Sequence, residues 1–218
     1  MHDKTRRQTD AYQEVFAKVK SKHYRFVCFD FGGTLFDFTP LHVSAFLNAM
    51  EVPFDTPLAS QVESAVRSAL FRGVDSFEMM REVAAQTQKM DEQLCRDIVL
   101  KKRTLIEYYL DSAILDPNAR SFLLRVMNYA HVAVLSRGLV QSMEDILART
   151  FSVDPPSIRV YGRHSLDERV DKCALLETAL RDSGIPKAAS LYVGDAQVDR
   201  LLAEAVQLNF IHIQPFEF

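Results

Sequence analysis

Residues 25–38 read "RFVCFDFGGTLFDF". The apolar run at residues 26–29 meets a carboxylate, Asp30, and two glycines, Gly32 and Gly33, follow before the chain turns apolar again. A short continuous apolar run of this kind predicts a strand buried on both faces, as in a parallel sheet. The glycine pair predicts a turn whose backbone can come close to a ligand. Open α/β sheets bind their ligands beyond the carboxyl ends of the strands. Asp30 therefore stands where chemistry is expected.

Four later runs have the same character: "HVAVLSRG" (131–138), "SIRVYGR" (157–163), "ASLYVGD" (189–195) and "NFIHIQ" (209–214). Helical periodicity fills the spaces between and after them, over 118–129, 139–150, 170–183 and 196–206. Strand–helix alternation predicts an α/β fold, a doubly wound parallel sheet with right-handed crossovers. One interval departs from it. Residues 38–114 carry helical patterns near 40–50, 58–71, 76–88 and 91–111, with "VPFDTP" and "FRGVDS" as breaks. Ahead of the first strand, Tyr12, Val15, Phe16 and Val19 recur at helical spacing within residues 5–20, a helix packed on the body. The expected organisation is a helical extension (1–22), an α/β core (23–37 and 115–218) and an inserted helical subdomain (38–114).

Composition bounds the function. The chain has 218 residues, 48% hydrophobic and 25% charged, enough for a real core. A net charge of -3 gives no footprint for nucleic acid. The basic-leaning front is interleaved with Asp10 and Glu14, as on a solvated helix face. Three widely spaced cysteines, Cys28, Cys95 and Cys173, fit a reducing compartment and make neither a disulfide framework nor a zinc site. No run approaches the roughly 18 apolar residues of a membrane span, and the N-terminus has no apolar signal core. A cytoplasmic protein with no membrane partner is expected.

The strand ends carry a consistent set. The first ends on Asp30. The second ends on Ser136, followed by Arg137 and Gly138. Lys172 opens the helix after the third, and the fourth runs into Asp195 and Asp199. Alone, each has a plain reading: aspartates and serines cap turns, Lys172 could be a surface lysine, and Asp195 and Asp199 suit a helix N-terminus. Together they make a chemistry. Clustered carboxylates repel unless a cation sits among them, and oxygen ligands with waters favour Mg²⁺. An aspartate can act as a covalent nucleophile. A phosphoryl group in transfer needs a lysine, a hydroxyl and backbone N–H donors around its oxygens.

Those residues resemble the haloacid dehalogenase superfamily, most of whose members are Mg²⁺-dependent phosphatases. The usual first motif, D-x-D-G-[TV]-L, matches "DFGGTL" at all but one position. "VAVLSRG", Lys172 within "ERVDKCALLETAL", and "GDAQVD" match the others in order. The resemblance covers roughly residues 24–214, and the helical insert is similar to the superfamily's cap. It implies that Asp30 is the nucleophile and a metal ligand, and that the Gly32 carbonyl also ligates. It implies that Thr34 steadies the loop, that Ser136, Arg137 and Gly138 bind phosphate, and that Lys172 neutralises nucleophile and phosphate. Asp195 and Asp199 are implied as Mg²⁺ ligands.

Gly32 departs from that pattern. Phosphatases of the superfamily place a second aspartate there, to protonate the leaving oxygen and later activate water. Such assistance is worth about 10²–10⁴-fold. The substrate could have a good leaving group, as in an acyl phosphate or pyrophosphate, or His42 could provide the proton. Asp37 is a weaker candidate and is expected to cap the first helix of the insert. Haloacid dehalogenases also lack the second aspartate but work without metal, whereas "GDAQVD" keeps a metal-type pair. Phosphonoacetaldehyde hydrolases need a cap lysine, and residues 38–88 contain none. A non-catalytic role, binding a phosphorylated ligand or a protein, leaves the full set of charged residues unexplained. The expected activity is Mg²⁺-dependent hydrolysis of a small phosphorylated metabolite.

Overall fold

The computed structural model of the protein describes residues 2–22, 24–87, 91–111, 113, 115–151 and 158–213. Ser157 and Gln214, expected at strand ends, and Gln88, expected at a helix end, lie outside the described residues. Five strands form one sheet: β1 (Phe26–Asp30), β2 (His131–Leu139), β3 (Arg159–Arg163), β4 (Ser190–Gly194) and β5 (Asn209–His212). Their order is β3-β2-β1-β4-β5, and every pair is parallel. This is the α/β class read from the apolar runs. The helices are α1 (His2–Lys22), α2 (Thr39–Ala49), α3 (Pro57–Arg72), α4 (Ser76–Thr87), α5 (Glu92–Leu110), α6 (Pro117–Met127), α7 (Val140–Phe151), α8 (Lys172–Ser183) and α9 (Gln197–Ala205).

The chain folds as two compact units. The first contains the sheet with α1, α6, α7, α8 and most of α9. All five residues of β1 are buried, as a central strand requires. Side chains alternate across its faces. Phe26 and Cys28 pack with Ala133, Tyr192, Leu176 of α8 and Leu202 of α9. Phe29 meets Phe122 of α6 edge-on, at 5.5 Å between ring centres. Tyr12 of α1 stacks on the same Phe122 at 4.6 Å. Val15 and Val19 complete the buried stripe of α1, while Phe16 is half-buried.

The second unit contains α2, α3, α4 and α5 around a core that includes Phe46, Val62, Val66, Met80, Val83 and Val99. Lys102 is buried there; its Nζ donates to Ser76 Oγ at 3.1 Å and lies 5.0 Å from the Phe46 ring centre. Thr56 caps α3 by accepting from the Ala59 N–H, and Gly73, at φ 72°, closes its C-terminus. The N-cap of α2 is Phe38, not the expected Asp37, and no side chain closes it. Pro40 in the first turn has no N–H to satisfy, so the helix starts with one fewer donor in need of a cap. Among the described residues, no helix is long and apolar enough to cross a membrane.

Candidate active site

Sheet register sets the site. Asp30 is paired with Leu135, so Ser136 stands one residue beyond it on the next strand. Phe29 is paired with Val193, which puts Asp195 just past the end of β4 on the other side. Lys172 is the first residue of α8, held there by Asp171, whose side chain accepts from the Cys173 N–H at 2.9 Å. From that position Lys172 Nζ donates to Asp30 Oδ1 at 2.7 Å and to Asp199 Oδ1 at 2.6 Å. Asp30, Asp195 and Asp199 each present an oxygen within 4.8 Å of the others, and all three are buried. Residues drawn from positions 30, 172, 195 and 199 of the chain thus share one rim.

Close backbone approach makes room for these carboxylates. Gly33 has φ 84°, and a Cβ there would lie 2.3 Å from Asp195 Oδ2. A Cβ on Gly194 would lie 2.6 Å from the Asp199 carboxylate. Thr34 Oγ1 donates to Asp195 Oδ1 at 2.9 Å, and His212 Nε2 donates to the Asp195 carbonyl at 2.8 Å. Asp195 is therefore pinned by both its side chain and its main chain. Tyr192, fully buried, donates its hydroxyl to Asp199 Oδ1 at 3.0 Å.

Ser136 falls inside β2, not at its end. The strand continues to Leu139 through an irregularity between Leu135 and Leu139, then pairs again with Arg163. The Gly138 N–H donates to Ser136 Oγ at 3.1 Å, which leaves the hydroxyl proton of Ser136 available to donate. The positive charge of Arg137 acts on both Asp30 and Lys172. Gly32 is half-buried in a bridge with Phe36, and its φ is not in the left-handed region. His42 lies on α2 in the helical unit, half-buried, with its ring 6.3 Å from that of Phe38.

The electrostatics ask for a cation. Burial pushes the Asp30 carboxyl up to about 6, with Asp199 adding to the rise and Lys172 opposing it. Burial, reinforced by Asp30 and Asp199, pushes Asp195 up to about 8. Burial works against the charge of Lys172, but Asp199 and Asp30 outweigh it and hold the ammonium above the ordinary lysine value. Lys172, even with the Arg137 charge that reaches Asp30, does not return Asp30 and Asp195 to the ordinary carboxylate range. A buried all-oxygen triad in this state fits a hard divalent cation.

Sequence reasoning missed Tyr12, Tyr192 and His212. Tyr192 and Tyr12 read as apolar members of a strand and a helix. His212 makes its bond to a main-chain carbonyl, which leaves no mark on residue type.

A family model described as haloacid dehalogenase-like hydrolase matches residues 24–207. A search of curated proteins found no match. Among solved structures, a Bacteroides fragilis protein described as a haloacid dehalogenase-like hydrolase is similar at 18% identity and TM-score 0.71, covering 89% of this chain and 90% of that one. A Clostridium difficile protein described as a phosphatase has 20% identity and TM-score 0.67, with 87% and 84% covered. CbbY of Rhodobacter sphaeroides, in complex with xylulose-(1,5)bisphosphate, has 16% identity and TM-score 0.63, with 87% and 85% covered. At these identities the likeness is one of fold.

Proposed function

The chain belongs to the haloacid dehalogenase-like hydrolase family, and from that premise we propose that it is a Mg²⁺-dependent phosphohydrolase of a small phosphorylated metabolite, acting through Asp30. The observation that carries the reading is Lys172, set between Asp30 and Asp199 with Asp195 completing the carboxylate triad. The bisphosphate held by the Rhodobacter relative supports a phosphorylated small molecule as ligand. The three free cysteines favour a reducing, cytoplasmic setting. Residues 38–114 are assigned as the family's cap within the same proposal.

Asp30, Asp195, Asp199 and the Gly32 carbonyl would hold the ion. When bound, Mg²⁺ supplies positive charge beside the phosphoryl oxygens and lets the carboxylates ionise together. Lys172 orients Asp30 by its Oδ1 and screens the nucleophile from the incoming anion. The Asp30 carboxylate attacks phosphorus, a bond forms from its oxygen, and the bond to the leaving oxygen breaks. Ser136 donates its hydroxyl proton to a phosphoryl oxygen, and Arg137 adds charge at the same rim. Water then attacks the phosphorus, its oxygen bonding there as the bond to the Asp30 oxygen breaks; orthophosphate leaves, the proton lost by water passes to phosphate or solvent, and the Asp30 carboxylate is restored.

Gly32 offers no acid to the leaving oxygen. Acyl phosphates and pyrophosphate, whose leaving groups need no proton, are the favoured substrates; His42 is the proposed donor if alkyl esters are cleaved. Gly32 also favours a second reading, metal-independent attack of Asp30 on a carbon–halogen bond, but that chemistry has no use for three clustered carboxylates.

The test is turnover of p-nitrophenyl phosphate, acetyl phosphate, pyrophosphate, sugar and nucleoside monophosphates, and a 2-haloacid, with Mg²⁺ and with EDTA. The expected result is Mg²⁺-dependent cleavage of the activated phosphates. Turnover of the haloacid alone, indifferent to EDTA, would overturn it. Asp30→Asn is expected to remove more than roughly 10⁴-fold of the activity with the circular dichroism spectrum unchanged. Retained turnover would mean that another group attacks.

A further inference from the structure

The first-strand loop is fastened to a helix that the family match does not include. That match begins at residue 24, and α1 ends at Lys22. Tyr12 of α1 is buried, and its hydroxyl donates to the Thr34 carbonyl at 2.9 Å. Thr34 is thus held from two sides. Its carbonyl accepts from α1, and its side chain donates to Asp195. Within the loop, the Gly33 N–H donates to Phe36 O at 2.8 Å and the Leu35 and Phe36 N–H groups to Phe31 O at 3.0 Å each, while the Phe31 N–H donates to Leu135 O of β2 at 3.2 Å. The Tyr12 bond reaches it from elsewhere in the chain. The tyrosine has little freedom to leave, because its ring stacks on Phe122, which in turn meets Phe29, the residue before Asp30. At the surface, Arg125 Nη1 donates to Gln13 Oε1 at 2.9 Å and its guanidinium covers Phe16 at 3.9 Å, fixing α1 along α6.

We infer that Tyr12 is a positioning residue for the 30–37 loop, and that α1 acts on the site through this one hydroxyl. Removing the hydroxyl leaves a buried carbonyl without its donor and frees the segment that sets the place of Thr34, and through it Asp195. The catalytic part of this inference rests on the phosphohydrolase reading; the mechanical part does not.

Tyr12→Phe keeps the ring on Phe122 and deletes only the hydroxyl. Val19→Ala thins the packing of the same helix, away from Thr34, and serves as the comparison. In the 218-residue chain, Tyr12→Phe is expected to quicken amide hydrogen exchange over residues 30–37 about tenfold, with α1 unchanged. Val19→Ala is expected to quicken α1 and spare residues 30–37. With p-nitrophenyl phosphate and Mg²⁺, Tyr12→Phe is expected to lower kcat about tenfold at constant KM, and Mg²⁺ affinity by calorimetry to fall with it. Val19→Ala should leave both as they are. Unaltered exchange over 30–37 in Tyr12→Phe, or equal quickening in both variants, overturns the inference. Quickened exchange with unchanged kcat and Mg²⁺ affinity overturns the working role. A wild-type chain that cleaves no phosphate defeats the functional reading instead, and exchange and Mg²⁺ affinity then decide Tyr12.

Discussion

At position 32 a hydrogen atom stands where the family's phosphatases carry a carboxylate. The backbone there is not left-handed, so a Cβ brings no backbone strain. Gly32→Asp is therefore expected to fold and to raise turnover of alkyl phosphate monoesters by roughly 10²-fold; steady-state kinetics on a sugar phosphate checks this. No gain in a folded variant would mean that another donor already serves. Thr34→Val, which keeps the branched shape and deletes the hydroxyl bonded to Asp195, is expected to weaken Mg²⁺ binding about tenfold, read by calorimetry. Of the candidate site, Asp30 and Asp195 were legible because a charge at the end of an apolar run is anomalous by type and place, whereas Lys172 and Asp199, which lie on helices, were legible only through the order of the set they complete. Tyr12 and Tyr192 were not. Hydrophobic periodicity counts a tyrosine as one more apolar residue and is blind to where its hydroxyl goes.

Helix α8 shows what an element contributes. Its N-cap, Asp171, fixes the first helical residue, and that residue is Lys172. Asp171→Ala is expected to cost about 1 kcal/mol of stability in urea unfolding. It should also lower kcat, because a frayed first turn no longer holds the ammonium between two carboxylates. Wild-type kcat in a destabilised variant would separate the cap from the chemistry. Helices were read closely from periodicity: the pattern at 58–71 became Pro57–Arg72, and the pattern at 76–88 became Ser76–Thr87. The end of β2 was not, since a strand that slips register and pairs again past Ser136 leaves no period to read. The missing side-chain cap on α2 was equally hidden, because proline in the first turn makes a cap less needed.

For the whole molecule, the raised carboxyls make stability and metal binding depend on pH together. Asp30 titrates near 6 and Asp195 near 8 in the fold, against about 4 in an unfolded chain. The folded state holds extra protons between those limits. The stability these groups contribute is fully present below about pH 4 and is lost as pH rises through about 6 and 8. Without the ion, the midpoint of thermal unfolding is expected to fall over that window from this source. Binding of Mg²⁺ releases the protons, so its affinity should climb with pH, by up to about tenfold per unit for each proton displaced. The gain in unfolding temperature from Mg²⁺ should be larger near pH 8 than near pH 5. Calorimetry in two buffers of different ionisation enthalpy would count the protons; no release would contradict the assignment of the triad as the ion's seat. Asp30→Asn should raise the unfolding temperature of the ion-free protein, because it removes a buried charge.

The strand order also governs how the chain comes into being. The central strand, β1, is made first, yet β2 follows it only after roughly a hundred residues and β4 only after some 160. On a ribosome adding about 5–20 residues per second, the apolar segment 26–29 waits several seconds with neither edge covered. The four helices of the inserted unit emerge in that interval and can bury their own core beforehand. Synthesis of this protein therefore runs through a stage in which a strand buried throughout in the finished fold is the oldest unpaired one, and a chaperone holding the nascent chain would find its target there.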